Sequence, residues 1–432
     1  MGDAFLTRRG VKSQKITFNN TPMVLTKTLS NALSVGRYNM AVASDEEYIA
    51  FVGGLNSSGS AVNNIDFFDR GGKHWSANWP IALSEMAAVI TNHRLICFGG
   101  RKSDGSLINS VKSWFLSDAL LNSGSQTVLP NLSRATYGIA AIPFEDMVLI
   151  AGGGFNYDAT GDNGSTSDLA CYSLMNSTLK TVASLGRGRR YTGILRRTYK
   201  AVMTAGGLRV APDSIAAIDD VTYVRRNSDG TFESVDMAAL AAAQWRTTQA
   251  SIYDQGVRYN LFGLGVTAPT TQGNIVQPSL VVPNIDVYAV ATSGSVSTEK
   301  FTTFTLPLDS NPISSVALGF GDCVLYVVGY MNALTKGYLV QLNPLRITTM
   351  EFNFRSSEFQ GGVIGNHVGF IAGGVKNGAF STDVEMIQLL RNVPIYPGMK
   401  YKIGSMTSEE TSNILTLHPL NDEVKLSGYM KL

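Results

Sequence analysis

The chain has 432 residues, 44% of them hydrophobic, with only 16% charged, 43 glycines and a formal net charge of +2. So near-neutral a chain lacks the basic footprint that a nucleic-acid partner requires, and no apolar run approaches the roughly 18 residues of a membrane helix. Cys97, Cys171 and Cys323, an odd set lying inside apolar runs, read as small buried hydrophobes and supply no disulfide framework.

In chain order, residues 1–10 combine Phe5 and Leu6 with the basic pair Arg8 and Arg9. They contain no 7–15-residue apolar region of the secretory kind, and position 6 is not the Ser or Thr of a myristoylation site. The expectation is a protein made in a cytoplasm and not exported by the standard route. An alternating segment, 23–29, follows before any repeat begins.

From there an apolar run meets a small-residue stop seven times: at Gly53–Gly54, Gly99–Gly100, Gly152–Gly153, Gly206–Gly207, Gly263, Gly329 and Gly373–Gly374. The steps between the first glycines are 46, 53, 54, 57, 66 and 44 residues, the period of propeller blades. Each copy has an alternating segment before the glycines and two more after them, so each reads as a four-stranded antiparallel blade. The third strands are expected at 64–68, 110–115, 168–174, 218–225, 284–290, 335–342 and 382–389. Fourth strands fall near Trp75, 182–185 and 301–306. After the seventh copy, 391–397 holds two prolines and offers no fourth strand. Strand 23–29 is therefore expected to complete blade seven and close the ring, which removes two exposed edges. The glycines are expected to end the strand nearest the axis, where backbones crowd.

Three segments break the rhythm. The alanine-rich stretch 236–245, with Asp236 as N-cap, predicts one or two helical turns. Loops 155–167 and 266–283 exceed ordinary connections and are candidate recognition loops. The C-terminal stretch predicts extra strands at 400–403, 413–417 and 424–429. The division is thus an N-terminal peptide (1–22), a propeller (23–391) and a small β-appendage (392–432).

The repeat resembles the Kelch family, whose blade combines an Arg, an apolar strand, a Gly pair, a Tyr and a Trp. Blade one fits best, with Arg37, Gly53–Gly54, Phe68 and Trp75. Arg134, Arg190 and Arg246 lie at similar distances before their own glycines, which reads as four blades keeping the repeat arginine. The fold class is therefore all-β, a seven-bladed Kelch-like β-propeller closed by its N-terminal strand. The first ten residues are similar to the M-G-[ND]-A-x-L-x-R-R openings of bacteriophage tail and fibre proteins. That resemblance implies attachment to a virion through Phe5, Leu6, Arg8 and Arg9.

Catalytic chemistry finds little support in the spacing. Asp158, Asp162, Asn163 and Asp168 do not follow the EF-hand order, and His74, His93, His367 and His418 are scattered. No pair of carboxylates, and no tyrosine with an acidic partner and arginines, stands at a recognisable spacing for glycoside hydrolysis. The run Arg187 to Tyr191, with Arg196 and Arg197, could hold an anionic glycan or phosphate, or simply be a repeat arginine among rim residues. The reading is a non-enzymatic virion protein without cofactor or metal. Its loops bind a host-surface glycan or protein, its termini bind other tail proteins, and it works in several copies. An intracellular Kelch-type adaptor and a propeller carbohydrate-active enzyme are the alternatives.

Overall fold

The computed structural model describes residues 22–391, apart from 157–162, 199, 212–213, 268, 273–274, 279–280, 291–299 and 332–333, and four short strands beyond those limits. Seven antiparallel blade sheets fill it, six of four strands and one, the last blade, of five. Their innermost strands are Ala41–Ser44, Ala87–Thr91, Ala140–Phe144, Gly193–Thr198, Thr248–Asp254, Pro312–Phe320 and Gln360–Ile364. Each packs on the next, and the seventh on the first, so the sheets form a closed seven-bladed β-propeller.

The second strands, such as Met147–Ala151 and Cys323–Tyr330, are buried along their whole length. Both of their faces meet a neighbouring sheet, which explains why they read as continuous apolar runs rather than alternation. Outer strands such as Thr178–Ser184 are largely exposed. Seven hydrophobic clusters occupy the seven interfaces between adjacent blades. Third strands Asn284–Val290 and Thr335–Leu342 coincide with their expected limits, and the others lie within a few residues of theirs.

The ring closes as the spare strand requires. Met23–Leu29 pairs antiparallel with Val384–Leu390, from Met23 opposite Leu390 to Leu29 opposite Val384. Thr416–His418 pairs with the outer edge of Met23–Leu29. Closure brings Thr28 against a buried carboxyl group: its hydroxyl donates to Glu385 Oε2 at 2.5 Å. Burial pushes Glu385 up to about 7, against hydrogen bonds from Thr28 and Thr26 that lower it. The unfolded chain loses this proton near pH 4.5 while the folded chain keeps it to about 7. The group's stabilising contribution is therefore complete below pH 4.5 and gone above 7, a difference of about 3 kcal/mol. Glu385→Gln, which stays neutral, should remove this slope from urea-derived stabilities measured across that window. An unchanged slope would disprove the assignment.

The glycines act one strand further out than expected. In blades one to four and seven they end the second strand, whereas the first strand faces the axis. A Cβ on Gly53 (φ +60°) would lie 2.2 Å from the Leu83 carbonyl oxygen of blade two. The Gly54 amide donates to that same oxygen at 2.9 Å. Equivalent bonds run from Gly100 to Thr136, Gly153 to Arg189, Gly207 to Gln244 and Gly374 to Arg37. The glycine pair is thus an interblade clamp, which explains its recurrence. Gly263 and Gly329 are not part of it, for both lie inside strands, Val257–Gly263 and Cys323–Tyr330. In blade five Leu264 (φ 50°) takes the left-handed position instead.

The expected helix at 236–245 does not form. The amides of Met237, Leu240 and Gln244 donate instead to Val221, Asp219 and Ile218, and that of Ala241 donates to the Asp286 carboxylate. Met237, Leu240 and Trp245 are buried, so tertiary packing overrides alanine's helical preference. The helix among the described residues is Leu116–Leu120, in blade two.

Candidate functional site

The Gly pairs and the starts of the inner strands lie on one face of the disc, and short hairpins rise from it. They are Gly154–Asn156 with Asn163–Ser165 (blade three), Leu208–Ala211 with Ser214–Ala217 (blade four), and Pro269–Gln272 with Ile275–Pro278 (blade five). A smaller pair, Val375–Lys376 with Ala379–Phe380, marks blade seven. Neighbouring hairpins of blades three, four and five touch one another. Two of the three long hairpins occupy the expected recognition loops; the blade-four hairpin was not foreseen. Residues 157–162, including Asp158 and Asp162 of the calcium candidate, lie outside the described residues. No three His, Cys, Asp or Glu gather at metal distance among the described residues.

Along the axis a cavity of about 390 Å³ opens, lined by the inner strands of all seven blades. Its walls are mostly small or apolar, and its charged lining residues, Glu85, Arg246 and Glu358, sit at the mouth. There the chain repeats an unusual conformation just before an inner strand. Asn39, Glu85, Gly138, Tyr191, Arg246 and Glu358 all have φ between 51° and 60°. That conformation costs a non-glycine residue roughly 1–2 kcal/mol, so it points to a positional requirement. Main-chain bonds between blades supply part of the compensation. The Gly138 amide donates to Glu85 O at 2.9 Å, Tyr191 to Gly138 O at 2.7 Å, and Arg246 to Tyr191 O at 3.1 Å. Three side chains, those of Glu85, Tyr191 and Arg246, are therefore fixed around the rim of the mouth.

The side chains there form a connected cluster. The Tyr191 hydroxyl donates to Glu85 Oε1, and Arg101 Nε lies 3.4 Å from Glu85 Oε2. The Tyr191 ring crosses Gly138, where a Cβ would come within 2.8 Å of it. Tyr137 lies between two cations, with Arg101 at 4.0 Å and Arg190 at 4.9 Å from its ring centre. Arg246 stands over both Tyr191 (5.2 Å) and Trp245 (4.9 Å). Burial, and then the Glu85 charge, raise the Tyr191 hydroxyl well above the ordinary phenol range. Desolvation lowers the Arg190 guanidinium below the arginine range.

This arrangement corrects the assignment of the repeat arginine. Arg37 and Arg189 carry that role: both are fully buried and bond to main-chain carbonyls. Arg190, one residue on, leaves the scaffold for the mouth cluster, as does Arg246, while Arg134 stacks on Phe155 at 4.6 Å. Arg187 pairs with Asp220, and Arg197 is buried, donating to Ala289 O at 3.2 Å. The basic run thus divides into separate roles. A tyrosine with an acidic partner and several arginines, invisible as a spacing, is assembled here from blades two to five. An available signal was the residue two positions before each of these inner strands, 14 or 15 residues ahead of the glycine pair in blades one to four and seven.

Of the attachment candidates, Phe5 and Leu6 lie on strand Ala4–Leu6, which pairs with Gln14–Asn19; Arg8 and Arg9 lie outside the described residues. Gln14–Asn19 pairs in turn with Val393–Ile395, so both ends of the chain share one sheet. The expected strands at 400–403 and 424–429 lie outside the described residues, and the one at 413–417 overlaps Thr416–His418.

The chain is a seven-bladed β-propeller with an axial cavity whose mouth carries Glu85, Tyr191, Arg246 and Glu358. It is similar to the solved structure titled "Structure of YjhT", with a TM-score of 0.54 and 12% identity over 74% of this chain and 99% of that one. At that identity the likeness extends to the fold. No protein-family model and no curated protein matches the sequence.

Proposed function

We propose that this protein is an adhesive propeller of a bacteriophage tail, whose hairpin face receives a host-surface glycan at the mouth of the axial cavity. The observation that carries the binding site is the rim. Five non-glycine side chains are held there in a costly backbone conformation, among them Tyr191 and Arg246, beside an open cavity of ligand size. An aromatic body with polar edges suits a sugar, which presents apolar C–H faces and many hydroxyls. The topology supports presentation. Strand Met23–Leu29 begins, and Val384–Leu390 ends, on the face opposite the hairpins, so both terminal segments leave from there. The virion role rests on the resemblance of residues 1–10.

Binding to a glycan array should show retained members for the native protein and about tenfold weaker binding after Tyr191→Ala, measured below that variant's cooperative melt. Removal of residues 1–10 should abolish incorporation into particles and leave array binding intact. An array without hits would defeat the glycan reading, and normal incorporation would defeat the attachment. A second reading, a carbohydrate-active enzyme, is favoured by one contact, the Tyr191–Glu85 pair among arginines. Turnover of chromogenic glycosides that disappears in Glu85→Gln would select it.

A further inference from the structure

The mouth cluster holds more positive charge than the fold uses. Arg190 is 5% exposed, yet its Nε and Nη1 have no hydrogen-bond partner among the described residues. Ring faces on Tyr137 (4.9 Å) and Tyr191 (5.6 Å) accept the guanidinium's charge, but its in-plane N–H groups need oxygen acceptors. A buried donor without an acceptor is expensive, and in native proteins it calls for an explanation. The scaffold does not provide one, because Arg189 already performs the repeat arginine's work. Arg190 lies beside Tyr191, which walls the cavity; Arg101, on the other side of Tyr137, has its buried Nε paired with Glu85 Oε2 at 3.4 Å.

We infer that this cluster is an anion subsite, in which Arg190, Arg101 and Arg246 hold the carboxylate of an acidic sugar. The inference rests on the glycan reading above and names the ligand's class. Charge balance favours a monoanion: three guanidiniums (Arg101, Arg190, Arg246) against two carboxylates (Glu85, Glu358) leave one positive charge. Shape agrees, because a carboxylate is planar and presents two oxygens to a planar guanidinium fork. Arg246 is exposed at the rim and meets the ligand first, while Arg190 completes its hydrogen bonds deeper.

The test compares array binding of carboxylated, sulfated or phosphorylated, and neutral glycans. Calorimetry then uses oligogalacturonate and its carboxyl-reduced counterpart, with native protein, Arg190→Met and Arg246→Met. Thermal melts confirm folding, and the exposed Arg246 keeps the test decisive if Arg190→Met is unstable. The expected result is retention of carboxylated glycans, at least tenfold weaker binding of the reduced oligomer, and a similar loss in either variant. Equal binding of acidic and neutral sugars, unaffected by both variants, overturns the subsite and leaves the glycan reading standing. Preference for phosphorylated or sulfated members overturns the carboxylate assignment. Absence of any glycan binding overturns both.

Discussion

Replacing Arg37 by methionine is expected to cost the propeller about 3–5 kcal/mol, read as a lower urea midpoint with little change in slope. The side chain is fully buried and spends its donors on Gly53 O (2.8 Å), Val35 O (2.9 Å) and Phe51 O (3.1 Å). Its Nη2 also lies 2.6 Å from Asp66 Oδ2, and both side chains have no exposure. Methionine fills the volume but leaves the Asp66 carboxylate buried, held by Ser34 and by His74 Nε2 at 2.8 Å. The acid dependence should change with it. Burial alone would raise the Asp66 carboxyl, but the His74 hydrogen bond, the charge and hydrogen bond of Arg37, and Ser34 together hold it below the usual range. Its stabilising contribution is therefore present above the unfolded carboxyl's titration and lost as pH falls below it. In Arg37→Met that acid-side loss should shrink. A second change, Asp66→Asn, should recover part of the stability by removing the stranded charge. If Arg37→Met unfolds at the native midpoint, the buried pair is not the anchor described.

The propeller was legible because its signals are redundant: seven apolar runs at one period, and one strand too many at the start matched by one too few at the end. What failed has local causes. Second strands were placed at the axis because their apolar runs and glycines mark crowding; the crowding is between blades, as the Gly54–Leu83 bond shows. Arg189 and Arg190 both fit the arginine spacing, and counting residues cannot tell which of two neighbours turns inward. The mouth eluded sequence reasoning for a different reason. Tyr191, Arg246 and Glu358 are residue types with no special tolerance of positive φ, so nothing in their identity announced the turn. Their partners come from different blades: Glu85 and Tyr191 are 106 residues apart. Only the closed ring sets them side by side.

That dependence makes the closing strand the most sensitive element of the molecule. Removing residues 1–29 should abolish cooperative folding, whereas removing 392–432 should leave the melt nearly unchanged. Met23–Leu29 serves two interfaces at once. Val24 enters the cluster between blades six and seven, and Leu25 enters the one between blades seven and one. Both are fully buried, so Leu25→Ala alone should cost about 2–5 kcal/mol. Losing the whole strand also strips the hydrogen-bond partner from Val384–Leu390 and bares an apolar edge that invites association. Against a typical total stability of about 5–15 kcal/mol, the sum exceeds what a ring held by similar interfaces can spare. Thr416–His418, by contrast, only lies outside the closing strand, so its loss leaves all seven blades four-stranded. Circular dichroism melts and size-exclusion chromatography of the two truncations decide the matter. A cooperative, monomeric 30–432 fragment with the native melting temperature would show that the ring does not need its N-terminal strand, and an equal collapse of both truncations would show that closure is shared with the C-terminal segment.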